Sequence, residues 1–231
     1  MIEKIKLHDG RELCYELTRK RVKNINFRAK SDGVVAVSAS PRVSKKYIEQ
    51  CLKDRADFFF GAFERLKARE KASEINTDSV RWLGKELHVK VVENLREIAV
   101  LDDEECRVFT KDRSPENVRK LIGRAVAERF KDVCGQLNEK VRAELKDKGY
   151  DPPSAVITIK DMKSRWGSCS YTRGRISINL RLAAYPPETV LSVLWHEYAH
   201  FRYHDHSENF YRFLLEMYPE YHKHNDVLKQ V

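Results

Sequence analysis

A chain of 231 residues, 42% hydrophobic and 34% charged with only 9 Gly and 7 Pro, can bury a sizeable core and is neither disordered nor low-complexity in composition. No apolar run approaches the ~18 residues of a membrane span, and the opening MIEKIKLHDG lacks the apolar stretch of a secretory signal, so a cytoplasmic protein without a membrane partner is expected. The cysteines at 14, 51, 106, 134 and 169 form no C-x-x-C pair, which argues for reduced thiols, and a net charge of +9 favours anionic partners without fixing the fold.

The first forty residues read as strands. Ile2, Ile5 and Leu7 alternate with polar residues before the Asp9-Gly10 turn; residues 24–28 and 34–38 alternate again around Ser31-Asp32-Gly33. Residues 19–30 hold six Lys and Arg and no acid, which marks either a solvated strand face or an anion-facing strip. Ser44 is a helix cap after Pro41, and apolar residues at helical spacing predict one helix to about residue 72. Further strands follow at 80–83, 87–92, 98–101 and 107–110, with a Gly84-Lys85 turn between the first two. Ser114-Pro115-Glu116 opens a long helix that Gly149 closes. No internal repeat is visible.

The last eighty residues differ in character. Residues 155–159 and 175–180 read as strands, separated by the turn-forming K-S-R-W-G-S-C-S of residues 163–170. Pro186-Pro187-Glu188 then opens a helix that is apolar on nearly every side, as only a buried helix is. The expected fold is α+β: a β-rich N-terminal region with one long helix (1–112), packed on a C-terminal core (113–231).

Six of the eight histidines fall in the final 36 residues, and His196-Glu197-Tyr198-Ala199-His200 continues the buried helix as an H-E-x-x-H sequence. Residues four apart share one helix face, so both imidazoles can grip one ion while Glu197 takes a proton from water. Two His and a Glu within an apolar helix are costly unless something binds them, and a metal ion is the simplest account. A third ligand is needed. His204 would lie too far along a continuing helix, so the helix must end after His200 and the chain turn back. His206 follows that turn, and a carboxylate such as Glu208 or Glu216 is the alternative. Asp205 or Ser207 then caps a helix containing Phe210, Phe213, Leu214 and Met217. The three-His spacing equals that of metzincins, but Tyr203 stands where they place glycine, so a metzincin fold is not implied.

The run K-S-R-W-G-S-C-S, then R-I-S-I-N-L-R-L, a Pro-initiated helix ending W-H-E-Y-A-H, and H-S-E-N-F closely resembles the YgjP-like metallopeptidase family, related in its catalytic core to SprT-like and other zincin-type proteins. The resemblance implies a zincin-like core, metal ligation by His196, His200 and His206, and Glu197 as general base. One divalent ion is implied, zinc foremost, with nickel or another transition metal the alternative. Peptide hydrolysis is the leading activity. Hydrolysis of a nucleotide phosphoanhydride, or a DNA-associated protease like the SprT group, are the alternatives, with nucleic acid as a possible partner.

Other residues are weighed against bland roles. Trp166 reads as core and Gly167 as a turn beside the metal helix. The strand at 175–180 is the expected sheet edge for an extended peptide, which would place Lys163, Arg165 and Arg173 near the cleft as substrate-binding residues. Cys169 reads as a small buried hydrophobe. Tyr198 points away from the metal face, whereas Tyr203, His204 and Tyr211 stay open as donors to a developing oxyanion. His222 and His224 read as surface residues.

Overall fold

Alternating aliphatics at the start of the chain form two hairpins in one sheet. Strands β1 (Ile2–Lys6) and β2 (Glu12–Arg19) pair antiparallel, as do β3 (Asn26–Ala29) and β4 (Val34–Ala39), and β2 lies parallel to β4, giving the order β1-β2-β4-β3. Ile5, Leu13, Tyr15, Val35, Val37 and Ala39 form a core with Ile48 and Leu52 of α1 (Lys45–Asp54) and Phe59 and Phe63 of α2 (Ala56–Ala72). The single helix expected here is interrupted at Arg55, whose backbone leaves helical geometry at φ −116° and ψ 18°, while the apolar stripe runs on across the break. The computed structural model describes residues 2–72 and 74–229, and the chain divides at Lys71 and Ala72 into two compact units.

The second unit begins by repeating the plan of the first. Strands β5 (Ser79–Trp82), β6 (Lys85–Glu93), β7 (Ile98–Leu101) and β8 (Glu105–Thr110) take the order β5-β6-β8-β7 with the same pair senses, and the long helix α3 (Pro115–Asp147) follows. Register agrees as well as order. The parallel pair runs from Cys14 opposite Val34 to Arg19 opposite Ala39 in one sheet, and from His88 opposite Glu105 to Glu93 opposite Thr110 in the other. Just beyond, Lys20 N–H donates to Ala39 C=O at 3.0 Å, and Asn94 N–H to Thr110 C=O at 3.2 Å. Both helices are capped by serine: Ser44 Oγ accepts from Tyr47 N–H and Ser114 Oγ from Asn117 N–H. The buried positions correspond too, Val35, Val37 and Ala39 to Cys106, Val108 and Thr110, and Ile48 and Leu52 to Val118 and Ile122. The absence of a repeat in the sequence is thus corrected by the structure: position and burial are kept, identity is not.

The sequence boundary at 112/113 falls inside this second unit, between β8 and the cap of α3, where α3 packs on β7 and β8. The tip of the β5–β6 hairpin is Leu83-Gly84, one residue earlier than expected, and both residues take positive φ, as a two-residue turn demands. Its amides donate to the carbonyls of Ala183 and Ala184, and a Cβ on Gly84 would meet Pro186 at 2.9 Å.

The remainder of the second unit is a small sheet and three helices: β9 (Val156–Lys160), β10 (Gly167–Ser170), β11 (Arg175–Asn179), α4 (Pro187–Ala199), α5 (Glu208–Met217) and α6 (Tyr221–Asn225). The sheet order is β10-β11-β9, antiparallel then parallel. Strand β11, expected at the edge, is central, and its residues from Ile176 to Asn179 are buried because both flanks are paired. The edge beside α4 is β10. The whole is a mixed α+β fold, and among the described residues no helix is long and apolar enough to cross a membrane.

Candidate metal centre

Helix α4 starts with Pro187 and Glu188 in its first turn and buries Val190, Leu191, Val193, Leu194 and Trp195. It is fixed to α3 by Tyr198, whose hydroxyl donates to Asn138 Oδ1 at 2.6 Å, so Tyr198 faces away from the site. The helix stops at His200. Phe201, Arg202 and Tyr203 N–H groups donate back to the carbonyls of Tyr198 and Ala199, and this turn returns His206 to the helix face. Asp205 Oδ1 accepts from Ser207 N–H at 3.4 Å and steadies the approach to α5, whose cap position is Ser207.

His196, His200 and His206 bring one ligand atom each within 4.8 Å of one another. His196 Nε2 and His206 Nε2 lie 2.9 Å apart. The far nitrogens are held from behind: Tyr203 C=O lies 3.1 Å from His200 Nδ1, and Tyr221 OH lies 3.0 Å from His196 Nδ1. A carbonyl accepts only, so His200 Nδ1 carries its proton and leaves Nε2 with a free lone pair. Phe210 floors the site with its centroid 4.8–5.0 Å from all three imidazoles. Three converging imidazoles, two of them with the outer nitrogen held, are a donor set suited to a divalent transition metal. Burial and the neighbouring rings lower the His196 pKa to about 4, and burial lowers that of His200. Glu208 and Glu216 contribute no atom to the cluster.

Glu197 is 5% exposed and lies against the edge strand. The nearby Cys169 amide favours its charged form, and a Cβ on Gly167 would sit 2.5 Å from its Oε1 and 2.9 Å from its Cδ and Cγ. Only glycine leaves room for the carboxylate there. Burial raises the Glu197 pKa to about 8, opposed by the charge of Arg165 and the Cys169 amide. Burial and the Glu197 charge push the Cys169 thiol up to about 12, and Cys169 contributes no atom to the three-histidine cluster.

A cleft of about 610 Å³ opens over these groups, lined by residues 165–169 of β10 and its approach, by His196, Glu197, His200, His204 and His206, and by Tyr171, Val193, Tyr221 and Asn225. Asn179 shapes the approach: its Nδ2 donates to the carbonyls of Met162 and Arg165, both at 2.7 Å. Of the expected substrate-binding residues, Arg165 lines the cleft and Lys163 and Arg173 do not. Of the open oxyanion donors, His204 lines it, stacked on Tyr171 at 3.7 Å, while Tyr203 and Tyr211 do not. Trp166 lines the cleft as well as packing edge-on against Tyr185. His224 is engaged with Tyr218 OH at 2.6 Å rather than merely solvated. Tyr221 and the seating role of Gly167 were missed from the sequence, because both act across long stretches of chain.

A family model described as YgjP-like, metallopeptidase domain, matches residues 23–231. No curated protein matches. Among solved structures, the metallopeptidase zymogen of Pyrococcus abyssi abylysin is similar to 42% of this chain and 91% of its own length, at 24% identity and a TM-score of 0.37.

Proposed function

Because the chain belongs to the YgjP-like metallopeptidase family and is a metal-dependent hydrolase, we propose that it is a zinc peptidase in which His196, His200 and His206 hold the ion and Glu197 moves the proton. The observation that carries this reading is the convergence of three imidazole donors beside a buried carboxylate at the wall of one cleft. When bound, the ion supplies a Lewis acid beside Glu197. The chain's own residues do the rest. The Glu197 carboxylate, seated by Gly167 and the Cys169 amide, takes the proton of the attacking water and returns it to the leaving amine nitrogen. Edge strand β10 gives an extended peptide a backbone to lie along, and Arg165 favours a carboxylate or carbonyl nearby.

Peptide is favoured over nucleotide by the cleft itself. Arg165 is the only Lys or Arg among its described lining residues, too few for a triphosphate. Metal-loaded protein incubated with an unfolded polypeptide and nucleoside triphosphates, beside Glu197→Ala, separates the two by mass spectrometry. New peptide termini that depend on Glu197 support the reading; nucleotide cleavage that depends on Glu197, with intact peptides, replaces it.

A further inference from the structure

Positive charge is segregated along this chain. Residues 1–71 hold 18 Lys and Arg against 10 Asp and Glu, and residues 72–231 hold 26 against 25, so the first unit carries +8 of the net +9. Within it, residues 17–48 contain nine basic side chains and one acid, Asp32.

The topology gathers most of these cations at one end of the first sheet. Since β2 and β4 are parallel, Arg19 and Ala39 stand side by side at their carboxyl ends, where residues 20–25 cross over β4 to reach β3 and residues 40–44 leave for α1. Arg19 ties these segments together by donating to the carbonyls of Ser40 at 3.0 Å and Val43 at 2.7 Å. Around the tie, Lys20, Arg21, Lys23, Arg42 and Lys46 are exposed, and among the described residues none of them forms an ion pair. Of the remaining cations in this stretch, Lys30 pairs with Glu16 and Lys45 with Glu3, while Arg28 stands mid-strand on β3, opposite Ala36. Asp32 sits in the β3–β4 turn at the opposite end. The first turn of α1 adds two lysines and no acid, the reverse of what a helix start favours.

The matching end of the second sheet shows what is missing. There Glu97 accepts from Thr110 Oγ1 at 2.7 Å, Asn117 Nδ2 at 2.9 Å and Lys111 N–H at 3.1 Å, and Glu116 lies in the first turn of α3. That end supplies its own anion. The first sheet has Ile25 at the corresponding place, packed on its core, and leaves five cations without a counter-charge. Beside them Tyr47, in the first turn of α1, is 59% exposed. Spaced point charges suit a phosphate backbone, and an exposed flat ring suits an unpaired base, which a duplex keeps inside its stack.

We propose that the carboxyl end of β2 and β4, with the first turn of α1, binds single-stranded nucleic acid through its phosphates, with a base stacked on Tyr47. The surface lies wholly in the first unit, and binding is read without turnover, so it stands or falls apart from the metal centre.

The test is fluorescence anisotropy of the full chain with a labelled 20-nucleotide DNA strand of mixed sequence, titrated between 50 and 200 mM salt. Five phosphate contacts give a log–log salt slope of about −3.5, or about a hundredfold loss across that range. Arg21→Glu with Lys23→Glu should weaken binding more than tenfold and flatten the slope. Arg119→Glu with Lys120→Glu, exposed on α3 and equal in net charge, should change it less than about threefold. Tyr47→Ala should weaken it about tenfold with the slope unchanged. Equal losses in the two charge-reversed proteins would overturn the assignment, since net charge alone would then bind. A duplex bound as tightly as the single strand, with Tyr47→Ala inert, would overturn the single-strand reading. Phosphatidylserine vesicles bound where the oligonucleotide is not would overturn both.

Discussion

The sheet of β1–β4 and the sheet of β5–β8 share strand order, pair senses, register and a serine-capped helix, yet they end in different chemistry. At the carboxyl end of the parallel pair, one displays unpaired cations and the other closes over its own Glu97. The second unit alone goes on to β9–β11 and α4, where the three imidazoles meet. A scaffold held by burial at fixed positions therefore leaves its loop ends free to differ, and chemistry resides in what is added to it.

The equivalence of the two cores is open to a direct attack. Leu52 and Ile122 are both fully buried at the same position, the eighth residue, of corresponding helices, so Leu52→Ala and Ile122→Ala should each cost about 2–5 kcal/mol by urea unfolding. A cost below about 1 kcal/mol for either would break the correspondence.

Predictions for the added region are next in size. Gly167→Ala should lower kcat about a hundredfold, because displacing a reacting group by about 1 Å has that effect, while metal content stays at the wild-type level. An unchanged kcat would mean that the Glu197 carboxylate does not depend on its glycine seat. Tyr221→Phe removes the hydroxyl behind His196 and should weaken metal binding about 10–100-fold in competition with a chromogenic chelator. Unaltered affinity would move the support of His196 elsewhere.

The smallest effect distinguishes the two loop ends. Hydrogen bonds from Asn117 and Thr110 hold the Glu97 carboxyl below its ordinary 4.5. A carboxylate with a depressed folded pKa adds stability that is complete above the unfolded value and fades as pH falls through the folded one. The loss of thermal midpoint between pH 6 and pH 3 should therefore be smaller in Glu97→Gln than in wild type. An identical loss would show that the carboxylate does not close that end.

Much of this was legible from local signals. Ser114-Pro115 announced α3, alternation announced the hairpins, and H-E-x-x-H within an apolar helix announced the site, because each is written in adjacent residues. What could not be read is non-local. The repeat is hidden because Val35 and Cys106, or Ala39 and Thr110, share a place but not a chemistry. The edge was assigned to residues 175–180 because strand order is decided by pairing partners, and β11 gained two. Tyr221 reaches His196 across 25 residues, and Gly167 meets Glu197 across 30, distances at which no spacing rule operates.

The central claim is that three imidazoles hold an ion and a separate carboxylate moves the proton. Metal content by plasma mass spectrometry and peptide turnover, measured on the same preparations of wild type, Glu197→Ala and His206→Ala, test it together. The account predicts one ion per chain in wild type and Glu197→Ala, marked loss of the ion in His206→Ala, and turnover in wild type alone. Turnover retained by Glu197→Ala, or a full complement of metal in His206→Ala, would contradict it.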